Sequence, residues 1–270
     1  MRLIKSFCIT VTVFITLVGL TITTEAKINL GKLFSGASKA YSAITLSDED
    51  IKKYVHEYVV HSDEQNNIAP ENSAYSLRLK NLTSGLSDID GTPLNFKVYI
   101  LNEVNAFACA DGSVRVYSGL LDLMSDDEVL GVIGHEVGHV AHKDTKNAMK
   151  QALINSAIFD GIGATGETAA SLTDSQLGII GQTLLSSKYS RKQESNADDY
   201  GYDFLKKNGK NPWSMAMAFT KLQQLENGSK SNLVTKMFSS HPQTKDRISH
   251  IVQKCQKDNI PPPEGCSITY

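Results

Sequence analysis

The spacing of hydrophobic residues predicts that the folded part of the chain begins with helices. Residues 47–50 read Ser-Asp-Glu-Asp, which is typical of a helix start. The apolar positions that follow recur at helical spacing, and they are Ile51, Tyr54, Val55, Tyr58 and Val59. A second helix is predicted over about 71–83.

A short region of strands is predicted after these two helices. Residues 96–100 place Phe, Val and Ile at alternating positions, which indicates a half-buried strand. Residues 105–110 and 113–117 flank Asp111-Gly112, and this dipeptide is typical of a hairpin turn. The pattern therefore predicts one small sheet in this part of the chain.

The second half of the chain is predicted to be mostly helical. Ser125 and Glu128 have the spacing of a capping box and open a helix that runs to about Lys143. Further helical patterns cover 145–185 (with a glycine-containing break at 161–166), 186–207, a segment that begins at Asn211-Pro212, and 243–256. The fold class predicted is α+β, a single helix-rich domain with a small mixed sheet.

The N-terminus has the pattern of an export signal. Arg2 and Lys5 precede an apolar run from Phe7 to about Ile22, and a small residue, Ala26, closes the segment. We predict a signal peptide over 1–26, Sec-type export to the periplasm or cell envelope, and a linker over 27–46. An uncleaved anchor, which would keep the protein close to a membrane, is the alternative.

Composition limits the function classes. The 270 residues are 41% hydrophobic and 21% charged, as in ordinary globular proteins, and the formal net charge is −2. No basic region indicates nucleic-acid binding.

Export permits disulfides, so we predict that Cys255 and Cys266, which flank Pro261–Pro263, are paired. The alternative is that these two cysteines and Cys109 are all free thiols.

Residues 135–139, His-Glu-Val-Gly-His, form the HExxH pattern on an apolar helix. Four residues advance a helix by about 400°, so His135 and His139 leave the same face and can bind one zinc ion. Glu136 can then take a proton from zinc-bound water and pass it to the leaving amine. A metal-free helix is disfavoured, because two histidines and a glutamate are costly to bury unpaired.

A catalytic zinc needs a third protein ligand. His142 lies about 10 Å along the helix from His135, too far to share the ion, and we assign it to the helix end. Glu194 and Asp198 stand four residues apart on a second helix. Glu194 can bind the metal while Asp198 accepts the outer N–H of His135. The alternative for this segment is a solvated, charged helix start.

Several motifs together resemble the HtpX/BepA/LoiP group of zinc metallopeptidases, and its LoiP branch in particular. The resemblance covers roughly residues 45–255, and the motifs occur in the same order as in that group. The motifs are Asn105-Ala-Phe-Ala, Val116-Tyr-Ser-Gly-Leu-Leu, Glu128 to His139, Glu194-Ser-Asn-Ala-Asp-Asp and Ser240-His241-Pro242. The resemblance implies a gluzincin-type zinc metallopeptidase domain over 47–256, followed by a C-terminal tail over 257–270. No lipobox cysteine follows the apolar run, unlike in LoiP-like lipoproteins.

The resemblance also implies roles for individual residues. The implied ligands of one Zn²⁺ per chain are His135, His139 and Glu194, with Glu136 as the catalytic base and Asp198 as the outer carboxylate. The implied substrate-binding edge strand, which borders the zinc cleft, is Asn105, Ala106, Phe107 and Ala108. His241 is implied to gate the metal; the alternative is that it starts a turn before the last helix. We expect Arg247 to form a surface ion pair rather than to organise the cleft.

These features predict a zinc-dependent endopeptidase that hydrolyses misfolded or unassembled proteins of the cell envelope. Main-chain recognition at an edge strand depends little on sequence and suits unfolded or misfolded partners. Two alternatives are a module that holds unfolded chains without cleaving them and a zinc hydrolase of non-peptide amides. Residues 145–185 separate the two metal-binding helices and are a candidate lid. The oligomeric state is left open.

Overall fold

In the computed structural model, the described residues are 47–155, 172–186, 188–228, 231–242 and 245–268. All of them belong to one unit, Ser42–Tyr270. The predicted signal peptide, the linker and the glycine-containing break lie outside these ranges, as does the central part of the candidate lid. Within the described ranges, no helix combines the length and the apolar character needed to cross a membrane.

Helices make up most of the described residues. They are α1 (Asp48–Gln65), α2 (Ala74–Leu82), α3 (Ser118–Leu123), α4 (Asp126–Ala141), α5 (Asp144–Asn155), α6 (Asp174–Ser186), α7 (Arg191–Lys207), α8 (Trp213–Glu226), α9 (Thr235–Ser240) and α10 (Lys245–Lys257). The predicted capping box of α4 is confirmed, with Ser125 and Glu128 bonding each other's backbone. Two helices begin later than predicted, because Ser73 caps α2 and Ser190 caps α7.

Five short strands form two sheets, which confirms the predicted α+β class with a mixed sheet. The strands are β1 (Asp88–Ile89), β2 (Thr92–Pro93), β3 (Asn95–Tyr99), β4 (Ala106–Ala108) and β5 (Ser113–Tyr117). The larger sheet has the order β3-β5-β4, with β3 parallel and β4 antiparallel to β5. The predicted hairpin at Asp111-Gly112 therefore joins β4 to β5, and β4 lies at an edge of the sheet.

The apolar residues form two separate clusters. The larger one packs the sheet against α4, α7, α8 and α10, and α4 is buried continuously from Glu128 to His139. Other elements of the fold therefore enclose this part of α4 on every side, including its polar residues. The smaller cluster joins α1, α5 and α6 to the end of β4, and its members include Tyr54, Val55, Cys109, Met149 and Ile180. The C-terminal end of β4 therefore lies against the smaller cluster.

Glycines on α4 allow an unusually close approach of α7. A Cβ atom added at Gly138 would lie 3.0 Å from Tyr200 Cβ and 3.1 Å from both Cα and the carbonyl oxygen of Ala197. A Cβ atom at Gly134 would lie 3.2 Å from the Cα atom of Gly201. The two helices therefore meet largely backbone to backbone, so their polar side chains at the same level lie close together.

The predicted Cys255–Cys266 disulfide is not formed, since both residues and Cys109 are free thiols. Cys255 is fully buried on the face of α10 that contacts the core, whereas Cys266 is partly exposed in the tail. The tail is attached in another way, because Trp213 Nε1 donates a hydrogen bond of 2.9 Å to the Ile260 carbonyl oxygen. Apolar packing of the tail against the larger cluster supports this contact.

We predict that Gly138→Ala lowers the free energy of unfolding by roughly 1–3 kcal/mol, because the new methyl group meets the α7 backbone. Urea denaturation monitored by circular dichroism measures this change. The matched control is Gly178→Ala on α6, where nothing lies within 4 Å of the added atom. That control should be neutral or stabilising by up to about 1 kcal/mol. Equal stability of Gly138→Ala and wild type would contradict the prediction.

Candidate functional site

Four polar side chains converge where α4 meets α7. His135, His139, Glu194 and His241 are buried, and each offers a ligand atom within 4.8 Å of the other three. The two histidines of α4 stand one turn apart, Glu194 lies in the first turn of α7, and His241 ends α9. The structure thus brings the three predicted ligands together with His241. It places His142 at the end of α4, as expected from its spacing.

The ligand atoms are separated by the distances that a tetrahedral zinc ion requires. The two Nε2 atoms of His135 and His139 lie 3.2 Å apart. Of the two Glu194 oxygens, Oε1 lies 3.5 Å from His139 Nε2 and Oε2 lies 3.7 Å from His135 Nε2. Ligands at 2.0–2.1 Å from a tetrahedral centre are about 3.4 Å from one another. The donor set therefore has the size of a zinc site.

Hydrogen bonds outside the cluster determine which nitrogen of each imidazole faces inward. His135 Nδ1 lies 2.9 Å from Asp198 Oδ1, and His139 Nδ1 lies 3.0 Å from Asp144 Oδ2. A carboxylate accepts these bonds, so each Nδ1 carries a proton and Nε2 is the nitrogen of each ring that faces the cluster. A metal ion that binds between the two Nε2 atoms, which lie 3.2 Å apart, would take the place of any proton held there. The pair is therefore suited to bind a metal ion.

Burial and hydrogen bonding oppose each other in setting the charges of these groups. Burial lowers the pKa of His135. Burial also lowers the pKa of His139, but hydrogen bonds to Asp144 and Glu194 outweigh it and raise the pKa to about 9. Burial raises the pKa of Glu194, yet hydrogen bonds from His139 and His241 hold it well below its usual range. Glu194 is therefore a charged carboxylate inside the protein.

Glu136 lies beside the ligand cluster at the end of a cavity that β4 borders. Its Oε1 atom is buried, accepts no hydrogen bond from the described residues, and lies 3.6 Å from His241 Nε2. A buried carboxyl oxygen without a partner is costly, and a water molecule or substrate group at this position would satisfy it. The same cavity is lined by the predicted edge strand, Asn105 to Ala108.

Arg247 is buried, which corrects the prediction of a surface ion pair. Only 8% of its side chain is exposed, and its Nε atom donates a 2.8 Å hydrogen bond to Asp198. Its guanidinium also contacts Glu194 and lies 4.5 Å from the centre of the Phe219 ring. Arg247 lies next to Ile248, at the border of the buried face of α10. This face packs against α7 and α8, and the packing encloses the Arg247 side chain.

Asp144, Gln193 and Tyr189 surround His139 and were not predicted as site residues. Lys143 has a φ angle of 61°, and this left-handed turn brings Asp144 back to His139. Gln193 donates a 2.8 Å hydrogen bond to Asp144 and also belongs to the capping box of α7. Tyr189 stacks on the His139 ring with centroids 3.9 Å apart. For Asp144 the sequence offered a signal, namely an acidic residue shortly after HExxH. For Gln193 and Tyr189 it offered none, because their contacts join elements that are distant along the chain.

Comparison with known proteins identifies the family. The model of Peptidase family M48 matches residues 78–254. The chain belongs to peptidase family M48. Over 229 residues it is 42% identical to Metalloprotease LoiP of Escherichia coli (strain K12), which covers 84% of this chain and 89% of that protein. It is 41% identical over 225 residues to Metalloprotease YcaL of the same strain, covering 83% of this chain and 87% of that protein.

More distant M48 relatives agree with this assignment. A Protease HtpX homolog of Polynucleobacter necessarius subsp. necessarius (strain STIR1) is 27% identical over 218 residues, which is 67% of this chain and 74% of that protein. The predicted resemblance to the HtpX/BepA/LoiP group is thereby confirmed. The protein is a metalloprotease, and its cluster of three histidines and one glutamate is consistent with zinc binding.

We predict that Asp144→Asn weakens zinc binding about 10–100-fold, because a neutral amide then replaces the carboxylate that accepts the hydrogen bond of His139 Nδ1. Competition with a chromophoric chelator measures the zinc dissociation constant. Asp199→Asn is the matched control, since Asp199 lies on α7 but pairs with His250 and Lys254 away from the cluster. A similar loss in both variants would show that the effect is not specific to the outer hydrogen bond.

Proposed function

We propose that this M48 metalloprotease is a zinc endopeptidase that cleaves misfolded or unassembled proteins of the cell envelope. The convergence of His135, His139 and Glu194 on one point, with Glu136 beside them, carries the proposal. The export signal predicted over residues 1–26 supports a periplasmic or envelope location. The family supports protein substrates.

In the proposed mechanism, this chain's residues hold the metal and move the proton. His135, His139 and Glu194 would bind one zinc ion, which when bound polarises the scissile carbonyl and lowers the pKa of water. Asp198 and Asp144 keep both imidazoles oriented. Glu136 takes a proton from the attacking water and returns it to the leaving amine. Burial of Glu136 strengthens its interaction with the developing charges.

The proposed substrate lies as an added strand along β4. Among the described residues, β5 is the only strand that pairs with β4, and β4 ends the sheet beside Glu136. An extended chain could bond to its backbone between Asn105 and Ala108 whatever the sequence of that chain. Folded proteins rarely offer a free extended segment, because their backbone groups are already paired. Misfolded or unassembled proteins therefore suit this site.

We predict that Glu136→Gln lowers kcat for unfolded casein at least about a thousandfold while leaving bound zinc unchanged, because only the proton acceptor is lost. Zinc analysis by mass spectrometry and release of casein fragments test both parts. The control is Glu226→Gln at the end of α8, an exposed carboxyl far along the chain from the site. Equal fragment release by zinc-loaded Glu136→Gln and wild type would exclude Glu136 as the proton acceptor, whereas no release by zinc-loaded wild type would favour a module that only holds unfolded chains.

We also propose that His241 gates the site. Its Nδ1 atom lies 3.0 Å from Glu194 Oε1 and 3.2 Å from His135 Nε2, among the ligand atoms themselves. In this position its ring fills the side of the cluster that faces Glu136. Substrate and water then reach the metal only when the ring moves away. Two observations support the proposal. These contacts place the His241 ring among the ligand atoms, and α9 ends immediately before His241, so the backbone there can bend without breaking a helix.

We predict that His241→Ala raises kcat/KM for casein several-fold, because the cluster opens while three ligands remain. Zinc content should stay at one ion per chain. His250→Ala, which removes a partly exposed histidine of α10, is the control and should leave both quantities unchanged. A fall in kcat for His241→Ala at full zinc content would instead indicate that His241 assists the reaction.

A further inference from the structure

A groove separate from the metal site lies between the β1–β2 hairpin and the C-terminal half of α7. Its volume is about 630 Å³, within the roughly 300–1,000 Å³ of typical binding pockets. At its base lies Val137 of α4, which is 2% exposed and follows Glu136 on the metal-binding helix. No described residue lines both this groove and the cavity beside Glu136. The groove is therefore a second concave surface of the protein.

Half-buried apolar side chains line the inside of the groove. Tyr200 and Phe204 stand one turn apart on α7, and their rings lie at 20° to each other with centroids 6.5 Å apart. Leu86 and Leu94, at the two ends of the hairpin, line the same groove. All four side chains remain partly accessible to solvent. An open apolar patch with a polar rim is typical of a surface to which another molecule binds.

The rim of the groove carries an excess of negative charge. Asp88 and Asp90 of the hairpin and Asp203 of α7 are exposed carboxylates, and one cation, Lys207, lines the groove with them. Three carboxylates and one ammonium group give a net charge of −2. Within the described ranges, none of the three carboxylates forms an ion pair. Burial, and after it the Asp90 carboxylate, raises the pKa of the Tyr200 hydroxyl, so negative charge lies beside an aromatic ring.

The hairpin that bears two of these carboxylates is held in one backbone conformation. Asp90 and Gly91 have φ angles of 49° and 78°, the left-handed geometry of a tight hairpin turn. Ile89 is buried in the larger apolar cluster, and the Leu94 N–H donates a 2.9 Å hydrogen bond to the Ser87 carbonyl oxygen. The backbone that carries the rim is thus in place before a partner binds, which lowers the entropic cost of binding.

We propose that this groove binds a segment of an unfolded substrate protein in which an apolar side chain stands next to Lys or Arg. The inference rests on the proposed endopeptidase function. The apolar side chain packs against Leu86, Leu94 and Phe204, while the cation pairs with the carboxylates and lies over the Tyr200 ring. The net charge of the rim selects cationic over anionic segments.

Unfolded chains suit this groove better than folded proteins do, because folded proteins bury most of their apolar side chains. A substrate held here by one segment also has a raised effective concentration at the metal site. The groove therefore adds affinity for long, unfolded chains without contacting the scissile bond.

Binding is tested with fluorescein-labelled peptides and the full-length, zinc-loaded Glu136→Gln variant, in which cleavage is not expected. The first peptide carries Phe between two Arg residues. In the second peptide both Arg residues are Glu, and in the third the Phe is Ser. Fluorescence anisotropy at low salt should give a Kd at least about tenfold lower for the first peptide than for the second, and at least about threefold lower than for the third. Added salt should reduce the first difference. Equal affinities overturn the proposal.

Charge variants in the same background show whether the peptide lies in the groove. Asp203→Lys should weaken binding of the first peptide about tenfold and Asp90→Asn about threefold. Asn tolerates the left-handed conformation at position 90, so this variant keeps the turn. Glu226→Lys and Glu226→Gln make the same changes of charge on α8, outside the groove, and should leave the Kd unchanged.

Three results of these variants decide the location. Unchanged binding by Asp203→Lys and Asp90→Asn, both folded by circular dichroism, overturns the proposal. If Asp203→Lys is unfolded, Asp90→Asn alone decides. Self-association of the wild type that Asp203→Lys abolishes, measured by analytical ultracentrifugation, would assign the groove to a second copy of the chain and also overturn the proposal.

Cleavage assays separate this proposal from the proposed function. A peptide that the wild type cleaves is joined to the Phe–Arg segment through Gly/Ser linkers of about 5–20 residues. For at least one linker the segment should lower KM at least about threefold and leave kcat unchanged. Asp203→Lys should remove this gain and cleave the parent peptide as the wild type does. Cleavage with no gain at any linker length overturns the role of the groove. Specific binding with no cleavage by the wild type would refute the endopeptidase function and keep the groove as a binding site.

Discussion

The close contact between α4 and α7 is the constraint on which the site depends. Gly134 and Gly138 contribute no side chain of their own to this contact, so residues of α7, including the backbone of Ala197 and Gly201, approach α4 closely. This close approach of the two helices lets the Glu194 carboxylate reach the Nε2 atoms of both histidines on α4. Protein interiors are close-packed, and an added methyl group here would separate the ligands as well as the helices.

Burying so many charged groups requires compensation at every one of them. Each histidine of α4 has its own outer carboxylate, Asp198 for His135 and Asp144 for His139, and Asp198 is in turn bonded by Arg247. Removal of one partner from such a network leaves a charge without a partner in a medium of low dielectric constant. This explains why the polar groups of the site hold one arrangement. Glu136 is the carboxylate of the site that lies outside the proposed ligand set and whose Oε1 lacks a hydrogen bond from the described residues, which agrees with its proposed role as the proton acceptor.

The smaller apolar cluster borders the site but contains none of its proposed metal ligands. It attaches α1, α5 and α6 to the end of β4. The metal cluster lies within the residues that the M48 family model matches, and so do α5 and α6, whereas α1 precedes them. Because α5 begins with Asp144, which is bonded to His139, a change in the packing of α5 can also move a proposed ligand.

The sequence by itself determined the features that arise within a few residues. These are the capping box of α4, the hairpin at Asp111-Gly112, and the placement of His135 and His139 on one helical face. Each of them depends on local geometry. The tertiary structure decided the burial of Arg247, the stacking of Tyr189 on His139 and the free state of Cys255. These features depend on which faces of distant helices meet. The sequence pattern of one helix shows which of its faces is apolar, but not which other helix packs against that face.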